Sequence, residues 1–362
     1  MSDALLHSPL ESLHIELGGR MVDFAGWFMP VMYGSILDEH HAVRKAVGIF
    51  DISHMGQFIV RGAGAAAWLD RMLANEVARL GDGEGQYTFL LNEQGGVIDD
   101  LILYREAADR FFLVVNASMI AEDFAWMHGR LAEGVELIDE SPQWAGMAVQ
   151  GPRAAELFAA VHPGEVLPPR NGIARMSNGA VVCRTGYTGE DGFEYFCPAG
   201  DGIAAFRGFV DAGAVPCGLG ARDSLRLEMC YPLNGSDLSP EKTPLEAGLG
   251  FFVALEKGDF IGREALLKQK EEGLTRRLVA IEYTDKGAPP RAHYPVLDAG
   301  GQVIGELSSG VPSPSTGKGI GMAYLPIDST KPGTPVQIDV RGRLFPAQVV
   351  KKPFYKPAPI SA

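Results

Sequence analysis

The stretch Gly95-Gly96-Val97-Ile98-Asp99-Asp100-Leu101-Ile102-Leu103-Tyr104 is a two-glycine turn followed by an apolar run with two adjacent aspartates inside it. A strand buried on both faces reads as a continuous apolar run. A carboxylate in such a run is costly unless it is paired or hydrogen-bonded. Side chains alternate along a strand, so Asp99 and Asp100 point to opposite faces. One of them can face a pocket while the other caps the turn or meets a basic group. Both can equally be turn residues at a strand start, and this stretch by itself leaves the choice open.

On either side the pattern stays strand-rich. Gln86–Leu91, a turn at Asn92–Gly96, Val97–Arg105, a turn near Asp109 and Phe111–Val115 follow one another closely. Short turns between consecutive strands mean antiparallel hairpins. After Asn116-Ala117-Ser118 the spacing predicts a helix over Ala121–Leu131, with Phe124 and Met127 or His128 on one side. Helices over one face of antiparallel sheets make an α+β arrangement.

Upstream, residues 10–33 read as a short strand and then a loop through Pro30. Ser35-Ile36-Leu37-Asp38 is a capping box with Asp in place of Glu. It predicts a helix from Ser35 with Ile36, His40, Val43 and Val47 on one face, stopped by Gly48. Ile49–Gly56 leads into a strand Gln57–Arg61, and Gly62-Ala63-Gly64-Ala65-Ala66-Ala67 opens a helix carrying Trp68, Leu69, Met72 and Leu73. The glycines imitate the dinucleotide fingerprint G-x-G-x-x-A. No run of βαβ units follows, so a tight turn with small-residue packing is the expectation.

Downstream, Met147–Arg153 is a strand into a turn, with Pro152 near the start of a helix that ends at Val161. Val181–Thr185 and Gly192–Cys197 flank the glycine-rich Gly186–Asp191 as a hairpin, without the G-K-[ST] ending of a phosphate loop. Asp201–Asp211 reads as an amphipathic helix. In Pro216–Glu228 two glycines precede a helix on which Arg222 and Arg226 share a face. That face is either a solvated ion-pair surface with Asp223 and Glu228 or a cation near a helix N-terminus, suited to a carboxylate. A short charged helix Glu264–Glu272 ends at Gly273, which divides the chain into 1–273 and 274–362. Beyond it Leu278–Tyr283, Tyr294–Leu297, Gln302–Leu307, Ile320–Leu325, Val336–Val340 and Phe345–Val350 alternate with turns, as in a small β-barrel or sandwich.

With 362 residues the chain has room for two or three domains. Its net charge of -13 argues against nucleic acid or an anionic membrane as a partner. Met1–Pro9 has no basic n-region and no apolar core, so it is not expected to be a leader, and no apolar run reaches the length of a membrane span. Cys183, Cys197, Cys217 and Cys230 are widely spaced, which fits a reducing cytosol rather than zinc or disulfides. The histidines form no metal motif and there is no G-x-S-x-G elbow. What remains are glycine-bounded segments carrying Asp99/Asp100, Asn116, Tyr187, Glu194 and Arg222. An acid, an amide, an aromatic platform and a cation together suit a polar, planar, carboxylated ligand.

Six segments in order resemble the T-protein family of the glycine cleavage system, the tetrahydrofolate-dependent aminomethyltransferases. They are Met21–Trp27, Asp38–Arg44, Phe50–Gly56, Gly95–Leu101, Arg184-Thr185-Gly186-Tyr187-Thr188-Gly189-Glu190-Asp191-Gly192-Phe193-Glu194 and Gly218–Asp223. The similarity extends through Asp259–Leu266 to Lys351–Tyr355. It implies a three-domain cloverleaf of two interleaved α+β domains with antiparallel sheets and a small C-terminal β-barrel or jelly-roll-like domain, with folate in the central hole. It implies that a lipoylated H-protein presents an aminomethyl group, that tetrahydrofolate takes the one-carbon unit, and that ammonia is released in the cytoplasm without a metal. By motif position Asp100 is the catalytic carboxylate. Glu194 and Asn116 match pterin-edge positions, Tyr187 a ring-packing position, Tyr87 and Met55 pocket positions, and Arg222 a folate-binding cation. Tyr231-Pro232-Leu233-Asn234, Gly250-Phe251-Phe252-Val253 and the link Leu167–Met176 depart from the family wording, and no role is carried onto them. Rival implications are a folate-dependent demethylase or folate oxidase domain with another methyl donor, and a folate-binding iron–sulfur assembly protein, whose Lys-Gly-Cys-Tyr hallmark is replaced here by Arg184-Thr185-Gly186-Tyr187.

Overall fold

The computed structural model describes residues 5–357. Residues 1–4, the head of the stretch expected not to be a leader, and 358–362, the end of the C-terminal region, lie outside the described residues.

The architecture is α+β, built on three bodies. The first is a six-stranded sheet in the order Ile173–Arg175, Val181–Cys183, Gly192–Pro198, Trp144–Gln150, Gly48–Asp51, Val215–Pro216. The second is a five-stranded sheet in the order Gly85–Leu91, Val97–Ala107, Arg110–Val115, Gly56–Arg61, Glu136–Asp139. The second is inserted into the first, because Phe50 pairs directly with Ala148 while residues 56–139 build the other sheet. The two bodies are therefore interleaved in sequence.

Period-two alternation sets the layers. Phe58, Val60, Phe111, Leu113, Leu101 and Leu103 turn to the helices Ala65–Met72 and Ile120–His128. Their neighbours Ile59, Phe112, Val114 and Tyr104 turn the other way, onto Phe50, Ala148, Val181 and Phe196 of the first sheet. The first sheet covers its outer face with the helices Ala154–Val161 and Gly202–Asp211 through Phe158, Phe206 and Phe209. The result is four layers, helix, sheet, sheet, helix, with the two sheets face to face.

The third body is a closed barrel: Arg276–Tyr283, Gly319–Pro326, Val303–Pro312, Pro295–Leu297, Pro335–Val340 and Arg343–Val350, which returns to Arg276–Tyr283. Inward residues such as Ile281, Val296, Leu307, Ala323, Ile338 and Val349 fill it, as the alternation over 278–350 requires.

Two local expectations change and a third, the tight turn at Gly62–Ala67, holds. Residues 10–33 hold a helix Glu11–Glu16 and a hairpin Arg20–Phe24/Trp27–Met32, not a loop through Pro30. Its tight turn uses Ala25 at φ 50 and Gly26 at φ 82, a left-handed pair that Asn-Gly would have advertised and Ala-Gly does not. Pro30 is tolerated because the strand Leu6–His7 on that side reaches only to Phe28. The helix begun by Ser35, whose hydroxyl accepts from Asp38 N at 3.4 Å, ends at Lys45, and Gly48 already starts a strand. The Gly62–Ala67 segment is a turn: Gly62 lies at φ 125, and a side chain there would strike the Gly134 carbonyl. Its strand joins antiparallel neighbours on both sides, so no dinucleotide crossover forms. No helix of the described residues is long and apolar enough to cross a membrane.

Candidate functional site

The turn at Asn92–Gly96 sets up the two aspartates. Asn92 Oδ1 accepts from the Gln94 and Gly96 amides at 3.0 and 2.8 Å. Gly96 has no side chain because the Pro240 carbonyl lies against it. Val97 N donates to the carbonyls of Ser239 and Lys242 at 3.1 and 3.0 Å. The loop 234–242 is thus fastened over the turn, and Asn234 is delivered to the base of the strand.

Both aspartates lie inside the strand Val97–Ala107, not in the turn. Asp99 is on the helix side and fully buried. It accepts from Asn116 N at 3.0 Å, from Asn116 Nδ2 at 2.8 Å, and from Asn234 Nδ2. Asp100, on the opposite face with Ile102 and Tyr104, is partly exposed. Its Oδ2 accepts from the Tyr87 hydroxyl at 2.8 Å and its Oδ1 from Asn116 Nδ2 at 3.0 Å. Tyr87 reaches it diagonally across the sheet, since Phe89 is the residue opposite Asp100. Burial first, then the neighbouring Asp99 charge, raises the Asp100 carboxyl to about 7, against the donors from Tyr87 and Asn116. Phe89 and Phe252 pack edge-on to the Tyr87 ring at 5.1 and 4.9 Å.

The facing wall comes from the hairpin loop Gly186–Asp191 and the helix Leu219–Glu228. The Tyr187 hydroxyl donates to the Pro232 carbonyl, and its ring lies near parallel to Tyr231 at 5.9 Å. Arg222 sits with its guanidinium carbon 4.7 Å from the Tyr187 ring centre. Among the described residues its side chain makes no hydrogen bond or ion pair, unlike Arg226, which is committed to Asp223 and Asp237. Glu194 accepts from the Thr185 hydroxyl at 2.8 Å; burial raises its carboxyl, opposed by Thr185 and Arg222. His54 is buried with Nδ1 unpartnered, and burial with the nearby Arg222 charge lowers its pKa to about 4. It is neutral at physiological pH.

Of the residues singled out above, Tyr87 and Asn116 both bond Asp100, and Tyr187 touches Arg222. The charges of both Asp100 and Arg222 act on Tyr187, and that of Arg222 acts on Glu194. Met55 packs against the same inter-sheet core as Ile102, which lies two residues along the face that Asp100 occupies. Four neighbours were not anticipated: Asn234, Tyr231, His54 and Asp123. The first two lie in a segment whose wording departs from the family, and His54 sits inside a matched one.

Behind Tyr187 a buried ionic junction fastens the bodies together. Glu228 accepts from Arg44 Nη2 at 2.9 Å, the Ser313 hydroxyl at 2.6 Å, and the Ser315 amide and hydroxyl at 3.0 and 2.8 Å. Arg44 also donates to the Thr188 carbonyl and to Glu190 at 2.7 and 2.9 Å, and stacks on the Tyr355 ring. This replaces the solvated ion-pair face imagined for Glu228. Among the described residues no group of three or more His, Cys, Asp or Glu side chains is placed to hold a metal.

The arrangement holds a carboxyl poised near neutrality against an uncommitted cation and two flat rings. It can hold a polar, planar molecule by its edge and stabilise positive charge beside Asp100.

Residues 10–257 match the family model of the GCVT N-terminal domain, and residues 276–356 that of the glycine cleavage T-protein C-terminal barrel domain. An aminomethyltransferase of Symbiobacterium thermophilum is 45% identical over 372 residues, covering 98% of this chain and 99% of that protein. The aminomethyltransferase of Bacillus subtilis is 42% identical over 362 residues, covering 97% and 99%. The crystal structure of glycine cleavage system aminomethyltransferase T from Bartonella henselae matches with a TM-score of 0.94 at 36% identity, over 99% of this chain and 100% of that one.

Proposed function

Because the chain belongs to the glycine cleavage T-protein family and is an aminomethyltransferase, we propose that it transfers the one-carbon unit from the aminomethyl-dihydrolipoyl arm of H-protein to tetrahydrofolate, with release of ammonia and 5,10-methylenetetrahydrofolate. The observation that carries this reading is Asp100, held at about 7 by burial and Asp99 and oriented by Tyr87 and Asn116.

The side chains present suit a reduced folate. Glu194 and Asn116 offer an acceptor and an amide for the pterin edge, Tyr187 and Tyr231 offer flat faces, and among the described residues Arg222 and His54 Nδ1 still lack partners. When bound, tetrahydrofolate supplies the nitrogens that accept the one-carbon unit. Asp100 in its ionised form stabilises the positive charge that develops as the amine departs. With its affinity for protons near neutrality it also takes and returns a proton at its carboxylate oxygens. Tyr87 and Asn116 fix the direction of that carboxylate, and Met55 closes the apolar side. We place the division between the folate-binding region and the barrel at 273/274, and the reaction in the cytoplasm, where four free buried cysteines stay reduced.

The test is incubation with aminomethylated H-protein and tetrahydrofolate. Ammonia and methylenetetrahydrofolate are expected in equal amounts. Activity confined to N-methyl donors, with no ammonia from H-protein, would overturn the proposal in favour of a demethylase.

A further inference from the structure

A third aspartate stands behind the site. Asp123 is the fourth residue of the helix Ile120–His128 and, with Met127, forms its buried stripe. That helix covers the face of the sheet on which Asp99 lies, and the side chains of Asp123 and Asp99 meet at hydrogen-bonding range. Asp123 is fully buried, and among the described residues no donor reaches either of its carboxyl oxygens.

The groups facing this cluster can be named element by element. The strand Val97–Ala107 brings Asp99 and Asp100, and the helix itself brings Glu122. The neighbouring strand brings Tyr87, and the facing loop Tyr187. Asn116 and Asn234 complete it. Among the described residues no lysine, arginine or histidine bonds or pairs with any of the three aspartates. Two carboxyls in contact in a dry site, without a cation, cannot both be ionised. Asp99 receives three N–H donors and Asp123 none, so the anion belongs on Asp99 and the proton on Asp123.

We propose that Asp123 is a positioning residue for the transfer site: its carboxyl stays protonated and donates to Asp99, which keeps Asp99 anionic and its partner Asn116 turned toward Asp100. No bond to substrate is involved. The Asp123 hydroxyl hydrogen stays on Asp123 and the lone pair is supplied by Asp99. The consequence at the site is electrostatic. An anionic Asp99 helps hold the Asp100 proton up near neutral pH. Without the Asp123 donor, Asp99 takes a proton itself, its charge disappears, and Asp100 ionises at lower pH.

Asp123→Asn keeps a neutral N–H donor at the same place, whereas Asp123→Leu removes it. In the transfer assay with aminomethylated H-protein, the acid limb of the kcat/KM–pH profile is expected to stay in place for Asp123→Asn. For Asp123→Leu it should move down by about one pH unit, the size of a single neighbouring charge. A limb unmoved in Asp123→Leu, or moved equally in both variants, overturns the proposal. This kinetic arm rests on the reading of Asp100 as the acting carboxylate. A second measurement does not. The infrared difference spectrum of the parent protein minus Asp123→Asn, at neutral pH, should show the carbonyl band of a neutral carboxylic acid. Carboxylate bands alone would refute the assignment even if Asp100 proved dispensable or Asp123→Leu failed to fold.

Discussion

Replacing Asp100 by Asn should cost activity and return stability, and the two effects have different pH dependences. The side chain keeps its shape and can still meet Tyr87, but it can no longer carry charge. Loss of a preorganised carboxylate in a partly dehydrated site is worth about 10²–10⁴ in kcat. Folate should still bind, because Glu194, Tyr187 and Arg222 are untouched. For stability the sign follows from the proton. The folded carboxyl holds its proton up to about 7, whereas the ordinary value is 3.8. The unfolded chain therefore releases that proton earlier, and the parent loses stability as pH rises from about 4 through 7. At about 1.4 kcal/mol per pH unit the ceiling is about 4 kcal/mol. Partial exposure of Asp100 and the charge it shares with Asp99 bring the expectation to about 1–3 kcal/mol. Asp100→Asn should thus be more stable than the parent in urea melts at about pH 8, with the gap narrowing toward about pH 5. Turnover is read with aminomethylated H-protein, and folate affinity by fluorescence titration. A variant that turns over near the parent rate sinks the role of Asp100. A stability gap that widens toward acid refutes the electrostatics. Asp99→Asn is the control, and should retain more activity than Asp100→Asn.

Tyr87→Phe removes a donor that favours ionised Asp100. The acid limb of kcat/KM should move to higher pH by about one unit, and a downward shift would contradict the role of the hydroxyl. Glu228→Ala leaves Arg44 buried without its main carboxylate and strips three serine-borne donors of their acceptor. It should destabilise by about 3–5 kcal/mol in urea melts. Glu228 in the fold is held down to about 2, from 4.5, by His40, Ser313 and Ser315 against burial. Its contribution is complete above about pH 4.5 and fades as pH falls toward about 2; a difference between parent and variant that grows in acid would be incompatible with this.

Where period two and turn chemistry suffice, the fold is legible in the residues. The hairpins from Gln86 to Val115 and the six barrel strands need only local alternation and short turns, most of them glycine-bearing. The hairpin around Ala25-Gly26 does not announce itself, because its left-handed turn is held by tertiary packing rather than by the residue type. Alternation places Asp99 and Asp100 on opposite faces but is silent on which face meets a helix and which the opening. That depends on the inter-sheet core of Ile59, Phe112 and Phe196, contacts between residues far apart in the chain. Asn234 is 135 residues from Asp99 and is brought there by the loop over Gly96. Asp123 is hidden for another reason: the spacing sets Phe124 with Met127 or His128 on the covered side, whereas the folded helix buries Met127 with an acid. Glu194, Tyr187 and Arg222 stand out in the residues as polar and aromatic groups in glycine-bounded segments, but only motif position gives each of them a role.

The Glu228 junction also bears on how the protein is born. It joins Arg44, the loop at Thr188–Glu190, Ser313 and Ser315, and its own main-chain carbonyl accepts from the amides of Phe354 and Tyr355. The chain from Arg44 through Tyr355 must have left the ribosome before this knot can be tied. At the usual pace of synthesis, Tyr355 follows Asp100 by roughly 10–50 s. Through that interval the nascent chain already carries Asp100, but the wall holding Tyr187 lacks its last fastenings. A chain clipped before Phe354 loses these last two bonds and should be slow to mature rather than merely less stable, which refolding kinetics of the truncated chain would show.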